Sequence, residues 1–112
     1  MSTQESAIPN ASEKPMDMAA LEPRAEEAAQ LLTAMANPKR LLVLCNLLHQ
    51  ERSVSDLAKL VGLEQSPLSQ HLSKLRASGL VKTRRDGQTI YYRLSSENVT
   101  RLLTTLYEIY CA

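Results

Sequence analysis

Apolar residues recur at three- and four-residue steps from about residue 17 onward, and alternate only at Ile90, Tyr92 and Leu94. The first pattern marks amphipathic helices and the second a half-buried hairpin. Asp17 is placed to cap a first helix across Met18–Ala36. Pro23 fits poorly inside it, so a restart with Glu22 as cap and Pro23 in the first turn is expected. Ala28, Leu31, Leu32 and Met35 form its apolar stripe. Asn37-Pro38, a cap followed by a first-turn proline, opens a second helix reaching about His49. Leu41 to Leu48 make that helix apolar almost all round, as for a helix buried on several sides.

Ser53-Val54-Ser55-Asp56 has capping-box form and starts a short helix that Gly62 stops. Another helix runs from Gln65 to Ser78 and stops at Gly79, with Pro67 harmless in its first turn. Leu80–Arg85 and Thr89–Leu94 read as strands joined at Asp86-Gly87, with Ile90, Tyr92 and Leu94 pointing inward. Ser95 or Ser96 caps a last helix that carries Val99, Leu102, Leu103, Leu106 and Tyr110 on one face. The predicted fold is mainly α with a β-hairpin wing, in the order α-α-α-α-β-β-α. Residues 1–16 are polar, hold Pro9 and Pro15 and show no period, which reads as a disordered tail before a single domain at 17–112.

Composition narrows this further. A chain of 112 residues suits one domain, and with no Trp or Phe its core must come from Leu, Val, Ile, Ala and Met. Three glycines argue against a turn-rich all-β fold. No apolar run approaches the ~18 residues of a membrane span. The start, MSTQESAIPN, lacks the basic-then-apolar order of a secretory signal, so a cytoplasmic location is expected. Two cysteines cannot build a secreted disulfide framework, which leaves packing, metal binding or redox chemistry.

The formal charge of +1 conceals an asymmetry. Residues 1–22 set one cation against four anions, net −3, whereas residues 52–93 set eight cations against three anions, net +5. A basic segment in a near-neutral chain suits an anionic partner, although charge alone fits a solvated surface equally well. The Gln65–Ser78 helix sharpens the choice. At ~100° per residue, Leu68, Leu72 and Leu75 share one stripe while Ser66, Ser69, Gln70 and Ser73 lie opposite, beside Gln65 at the helix start and flanked by Lys74 and Arg76. Small hydroxyls let a backbone approach a major groove closely, a glutamine can pair with an adenine edge, and Lys and Arg hold phosphates. With the Ser53–Val61 helix and its tight turn this makes a helix-turn-helix, and Arg84, Arg85 and Gln88 make the hairpin a basic wing. His71 lies nearer the leucines than the serines and reads as a partly buried, hydrogen-bonded histidine rather than a base contact.

Asn37-Pro38-Lys39-Arg40-Leu41, Ser69-Gln70-His71-Leu72-Ser73-Lys74-Leu75-Arg76, Gly79-Leu80-Val81 and Arg84-Arg85-Asp86-Gly87-Gln88 resemble the ArsR/SmtB winged helix-turn-helix repressors over about residues 22–111. The resemblance implies a homodimer built on the first and last helices. It further implies a palindromic double-stranded operator and repression relieved by an inducer. Most members sense metals, but the ligands are missing here. The arsenite-type Cys-Val-Cys-Asp-Leu stretch is Ser53-Val54-Ser55-Asp56-Leu57, and no histidine follows His71 for a zinc-type site on the last helix. No metal or other cofactor is therefore expected.

Cys45 shares a face with Leu41 and Leu48, where a thiol can serve as a small core hydrophobe. Cys111, at the chain end, has little packing to do. Their placement resembles the BigR-type, sulfide- and persulfide-responsive branch of the family. That resemblance implies that Cys45 and Cys111 become linked by a disulfide or polysulfide and DNA is released, with a reactive sulfur species or oxidant as inducer. The competing readings are a metal-responsive repressor of the same fold, a small thiol enzyme, and a structural dimer that binds no DNA. The enzyme reading lacks a base or helix N-terminus beside either thiol.

Overall fold

The computed structural model describes residues 15–111. The expected tail at 1–16 falls mainly outside the described residues. Helix α1 (Met18–Leu21) starts where the Asp17 carboxylate accepts the Ala19 N–H at 3.0 Å. A 3₁₀ turn at Glu22–Arg24 accommodates Pro23, and α2 (Ala25–Met35) follows. The break expected at Pro23 is present, but Glu22 does not cap the restart: it opens the 3₁₀ turn, and α2 begins after Arg24 with no side-chain cap. The Asn37 side chain caps α3 (Pro38–Asn46) by accepting from the N–H groups of Lys39 and Arg40.

Helix α3 ends three residues earlier than the apolar run suggests. The N–H groups of Leu47 and Leu48 turn back to the carbonyls of Leu44 and Cys45, and His49 takes a left-handed conformation, φ +65°. Next come β1 (Arg52–Ser53), α4 (Val54–Val61), α5 (Gln65–Ala77), β2 (Val81–Asp86), β3 (Thr89–Leu94) and α6 (Glu97–Cys111). The strands form an antiparallel sheet of order β1-β3-β2. The two-residue β1 has no sequence signal of its own, because its existence depends on pairing with β3 some 40 positions away, Arg52 opposite Tyr92. The hairpin loop is Gly87-Gln88 rather than Asp86-Gly87, since Asp86 still pairs with Thr89. Gly87 supplies the positive φ, +64°, that the first loop position of such a tight hairpin requires.

One core joins these elements. Val43, Leu44, Leu47, Leu57, Leu68, Leu72, Leu75, Leu80 and Leu103 are fully buried. Each such leucine contributes roughly 1.5–3 kcal/mol by leaving water. The N–H of Leu80 returns to the Leu75 carbonyl and that of Ser95 to the Leu80 carbonyl, which fixes the wing against the end of α5. Several residues expected inside lie outside. On α2 only Leu31, Ala34 and Met35 meet the core, while Ala28 is exposed and Leu32 keeps 55% of its surface. Ile90 is exposed because β3 begins out on the wing, beyond the body of the domain. Tyr110 is 81% exposed because α6 runs past the core after Leu106. The whole is a winged helix-turn-helix.

Candidate nucleic-acid interface and thiol pair

Helices α4 and α5 are joined by a tight turn whose parts are each satisfied locally. The Ser53 hydroxyl accepts the Asp56 N–H at 3.1 Å and starts α4. Gly62 ends it with φ +68°, while the N–H groups of Gly62 and Leu63 both return to the Ala58 carbonyl. Lys39 Nζ donates to the Val61 carbonyl at 2.7 Å, and Arg40 Nε donates to the Ala34 carbonyl at 2.6 Å. The Asn37–Arg40 stretch is thus a hub that caps α3 and ties it to the ends of α4 and α2.

This scaffold sets the roll of α5. Leu68, Leu72 and Leu75 are buried against the core. Gln65, Ser66, Ser69, Gln70, Ser73, Lys74 and Arg76 are all exposed. The polar face expected from the helical wheel therefore stands free. His71 lies between the two faces and is half-buried as expected, but its Nδ1 is buried without a hydrogen-bond partner among the described residues. Burial first, then the charges of Arg40 and Lys74, push its pKa below the ordinary value.

The wing separates its cations by strand register. Lys82 opposite Arg93 and Arg84 opposite Tyr91 share one face. Val81, Thr83 and Arg85, opposite Leu94, Tyr92 and Ile90, share the other. Arg84 forks onto Glu51, with Nε 3.1 Å from Oε1 and 3.2 Å from Oε2 and Nη2 2.8 Å from Oε1. Its guanidinium carbon lies 4.7 Å from the Tyr91 ring centroid. Arg93 stands 3.8 Å from the same carboxylate. The Arg84 hydrogen bonds hold Glu51 below the usual carboxylate range, and Glu51 in turn holds Arg84 up. Arg52 is also engaged internally, its Nε donating to the Asn46 carbonyl at 2.7 Å. Arg85 and Gln88 are exposed at the wing tip, and Arg85 makes no ion pair among the described residues. Glu51 escaped the sequence reading because only the pairing of β1 with β3 brings it to Arg84, and Tyr91 because the loop is Gly87-Gln88 rather than Asp86-Gly87.

The two thiols come from distant parts of the chain. Cys45 on α3 is half-buried against the core, and Cys111 ends α6 on the surface. Burial pushes the Cys45 thiol up, and the neighbouring Cys111 adds to the shift. Both thiols are free. Among the described residues no three His, Cys, Asp or Glu side chains gather into a metal-holding group, and no helix is long and apolar enough to cross a membrane.

A family model described as "Bacterial regulatory protein, arsR family" matches residues 37–83. The nodulation protein NolR of Rhizobium meliloti is 62% identical over 86 residues, which cover 77% of this chain and 70% of that protein. The reduced structure of HlyU from Vibrio cholerae, a protein named as a transcriptional activator, matches with a TM-score of 0.79 at 46% identity, over 83% of this chain and 98% of that one. The transcriptional repressor BigR of Xylella fastidiosa matches with a TM-score of 0.80 at 42% identity, over 87% and 99%.

Proposed function

Because the chain belongs to the arsR family of bacterial regulatory proteins and is a transcriptional regulator rather than an enzyme, we propose that it is a cytoplasmic, dimeric repressor released from its operator when Cys45 and Cys111 become linked. The observation that supports this reading is the placement of the two free thiols, one packed against the core on α3 and one on the surface at the end of α6. The likeness to BigR, a repressor by name, favours repression.

Reading residues and switch lie in different parts of the molecule. Gln65, Ser66, Ser69, Gln70 and Ser73 face the major groove. Lys74, Arg76, Arg84 and Arg85 hold phosphates, and Gln88 sits with Arg85 at the wing tip. The dimer forms through the first helices and α6, where Leu32, Tyr107, Ile109 and Tyr110 are exposed apolar side chains. Two α5 helices must meet major-groove faces ~34 Å apart on a palindromic site. A link from Cys45, in the body that carries α5, to Cys111, on a dimerisation helix, changes that spacing.

A persulfide R–S–SH balances the chemistry. The exposed Cys111 thiolate attacks its outer sulfur, releasing R–S⁻ and leaving Cys111 as a persulfide. The Cys45 thiolate then attacks the Cys111 Sγ, expelling HS⁻ and closing the disulfide. The two thiols are oxidised and the transferred sulfur is reduced to sulfide. Cys45 suits the second role, since its raised pKa leaves less thiolate at neutral pH. Peptide mapping of protein treated with an organic persulfide tests the reading. The expected product is an intrachain Cys45–Cys111 bridge that runs as monomer on a non-reducing gel. Bridges mainly between protomers would contradict it.

A further inference from the structure

We propose that Glu51 is a positioning residue for DNA binding, presenting the outer edge of the Arg84 guanidinium to a backbone phosphate. The inference rests on the reading of Arg84 as a phosphate contact and adds a residue that does not itself touch DNA. An exposed arginine on a strand has a long stem, and ordering it on binding weakens the contact. Arg84 is ordered before DNA arrives. The Glu51 carboxylate takes its Nε and Nη2 edge through hydrogen bonds of 2.8–3.2 Å, and the Tyr91 ring takes one face at 4.7 Å. Among the described residues Nη1 donates to no partner, and the side chain keeps 47% of its surface. A guanidinium held along one edge by a carboxylate offers its other edge in a fixed plane, the geometry that a phosphate accepts.

Register dictates this arrangement. Tyr91 is the cross-strand partner of Arg84, and Ser53 pairs with Tyr91 from the other side, which brings Glu51, two residues before Ser53, onto the same face. The charges agree. Lys82 and Arg93 are directly opposed like charges, a pairing that destabilises a sheet. Glu51 stands beside both arginines and offsets the repulsion. With Lys82, Arg84 and Arg93 against Glu51 and Asp86, the face keeps a net positive charge and continues to attract a phosphate.

The test measures affinity for a mixed-sequence DNA duplex of about 30 base pairs over a salt series. The proteins are full-length wild type, Glu51→Gln, Arg84→Lys, Arg84→Ala and the Glu51→Gln/Arg84→Ala double variant. Phosphate contacts act on every sequence, so the operator itself is not needed. Glu51→Gln should weaken binding about three- to tenfold with the thermal midpoint little changed, and Arg84→Lys, which keeps the charge without the fork, should do the same. Arg84→Ala should also flatten the slope of log K against log salt by about 0.9. In the Arg84→Ala background, Glu51→Gln should have no further effect. Tighter binding by Glu51→Gln would overturn the proposal, because the carboxylate would then be a competitor for Arg84. A loss that persists without Arg84 would overturn it in favour of a scaffolding role. If Arg84→Ala binds like wild type, the phosphate reading of Arg84 fails together with the proposal. If Arg84→Ala weakens binding and Glu51→Gln does not, the proposal alone fails.

Discussion

Arg84 and Arg85 are adjacent in sequence and point to opposite faces of the wing. Arg84 lies across from Tyr91 and is forked by Glu51, whereas Arg85 lies across from the exposed Ile90 and makes no ion pair among the described residues. Alternation along a strand makes this unavoidable, and it separates the two in energy as well. Among the described residues no carboxylate competes with a phosphate for Arg85.

Arg85→Ala should therefore weaken binding to any DNA sequence and flatten the salt dependence by about 0.9 in the slope of log K against log salt. Its effect should be the same with Glu51 or Gln at position 51, unlike that of Arg84→Ala. Anisotropy titrations across a salt series decide this. An unchanged slope would remove Arg85 from the interface.

Gln70 stands on the exposed serine face of α5, where an amide can pair with an adenine edge. Gln70→Ala should reduce discrimination at one base pair of the operator half-site by roughly 1–3 kcal/mol, leaving other positions nearly unaffected. Binding selection on a randomised half-site reads this directly. Equal losses at every position would make Gln70 a phosphate contact.

Local chemistry made much of the fold legible. Asn37-Pro38, Ser53 with Asp56, Gly62 and Asp86-Gly87 each announce a cap, a stop or a turn through a named hydrogen bond or a required φ, and the helix-turn-helix follows from them. The polar face of α5 was legible for the same reason, since periodicity assigns faces. Relationships set by distant pairing were not legible. Nothing near Glu51 marks it as the partner of Arg84, and a two-residue β1 has no period. Periodicity also cannot tell where a stripe outruns its core, so Leu32, Ile90 and Tyr110 read as inward and lie exposed. For His71, position gave the partial burial, but the missing partner of Nδ1 depends on three-dimensional neighbours.

His71 makes stability depend on pH. Burial, then Arg40 and Lys74, lower its folded pKa below the ordinary histidine value of about 6.5. Between those two values the unfolded chain binds more protons than the folded one, so stability falls as pH falls. The contribution is fully present above the ordinary value and is lost on descent to the folded one. The wild-type thermal midpoint should drop more between about pH 7.5 and about pH 5.5 than that of His71→Leu, which carries no titrating ring. Parallel pH profiles would show that His71 does not titrate differently in the two states.

Leu32 on α2 and Tyr110 on α6 are exposed apolar groups on the elements proposed to pair two protomers. Leu32→Glu should shift sedimentation from dimer to monomer at micromolar protein. It should weaken operator binding at least ~10-fold, since one half-site then acts alone, while leaving the α5 core intact. A dimer unaffected by the charge would place the interface elsewhere.

The central claim is that Cys45 and Cys111 act together to control DNA affinity, and operator binding by wild type, Cys45→Ser and Cys111→Ser, each with and without an organic persulfide, tests it most directly. Wild type should bind at least ~10-fold more weakly after treatment, a coupling of about 1.4 kcal/mol, within the ordinary range for allosteric proteins. Both variants should bind DNA and ignore the reagent, because a bridge needs both thiols. Circular dichroism should accompany the Cys45→Ser measurement, since a hydroxyl there meets apolar neighbours. If all three proteins lose affinity alike, or none does, the thiol pair is not the switch.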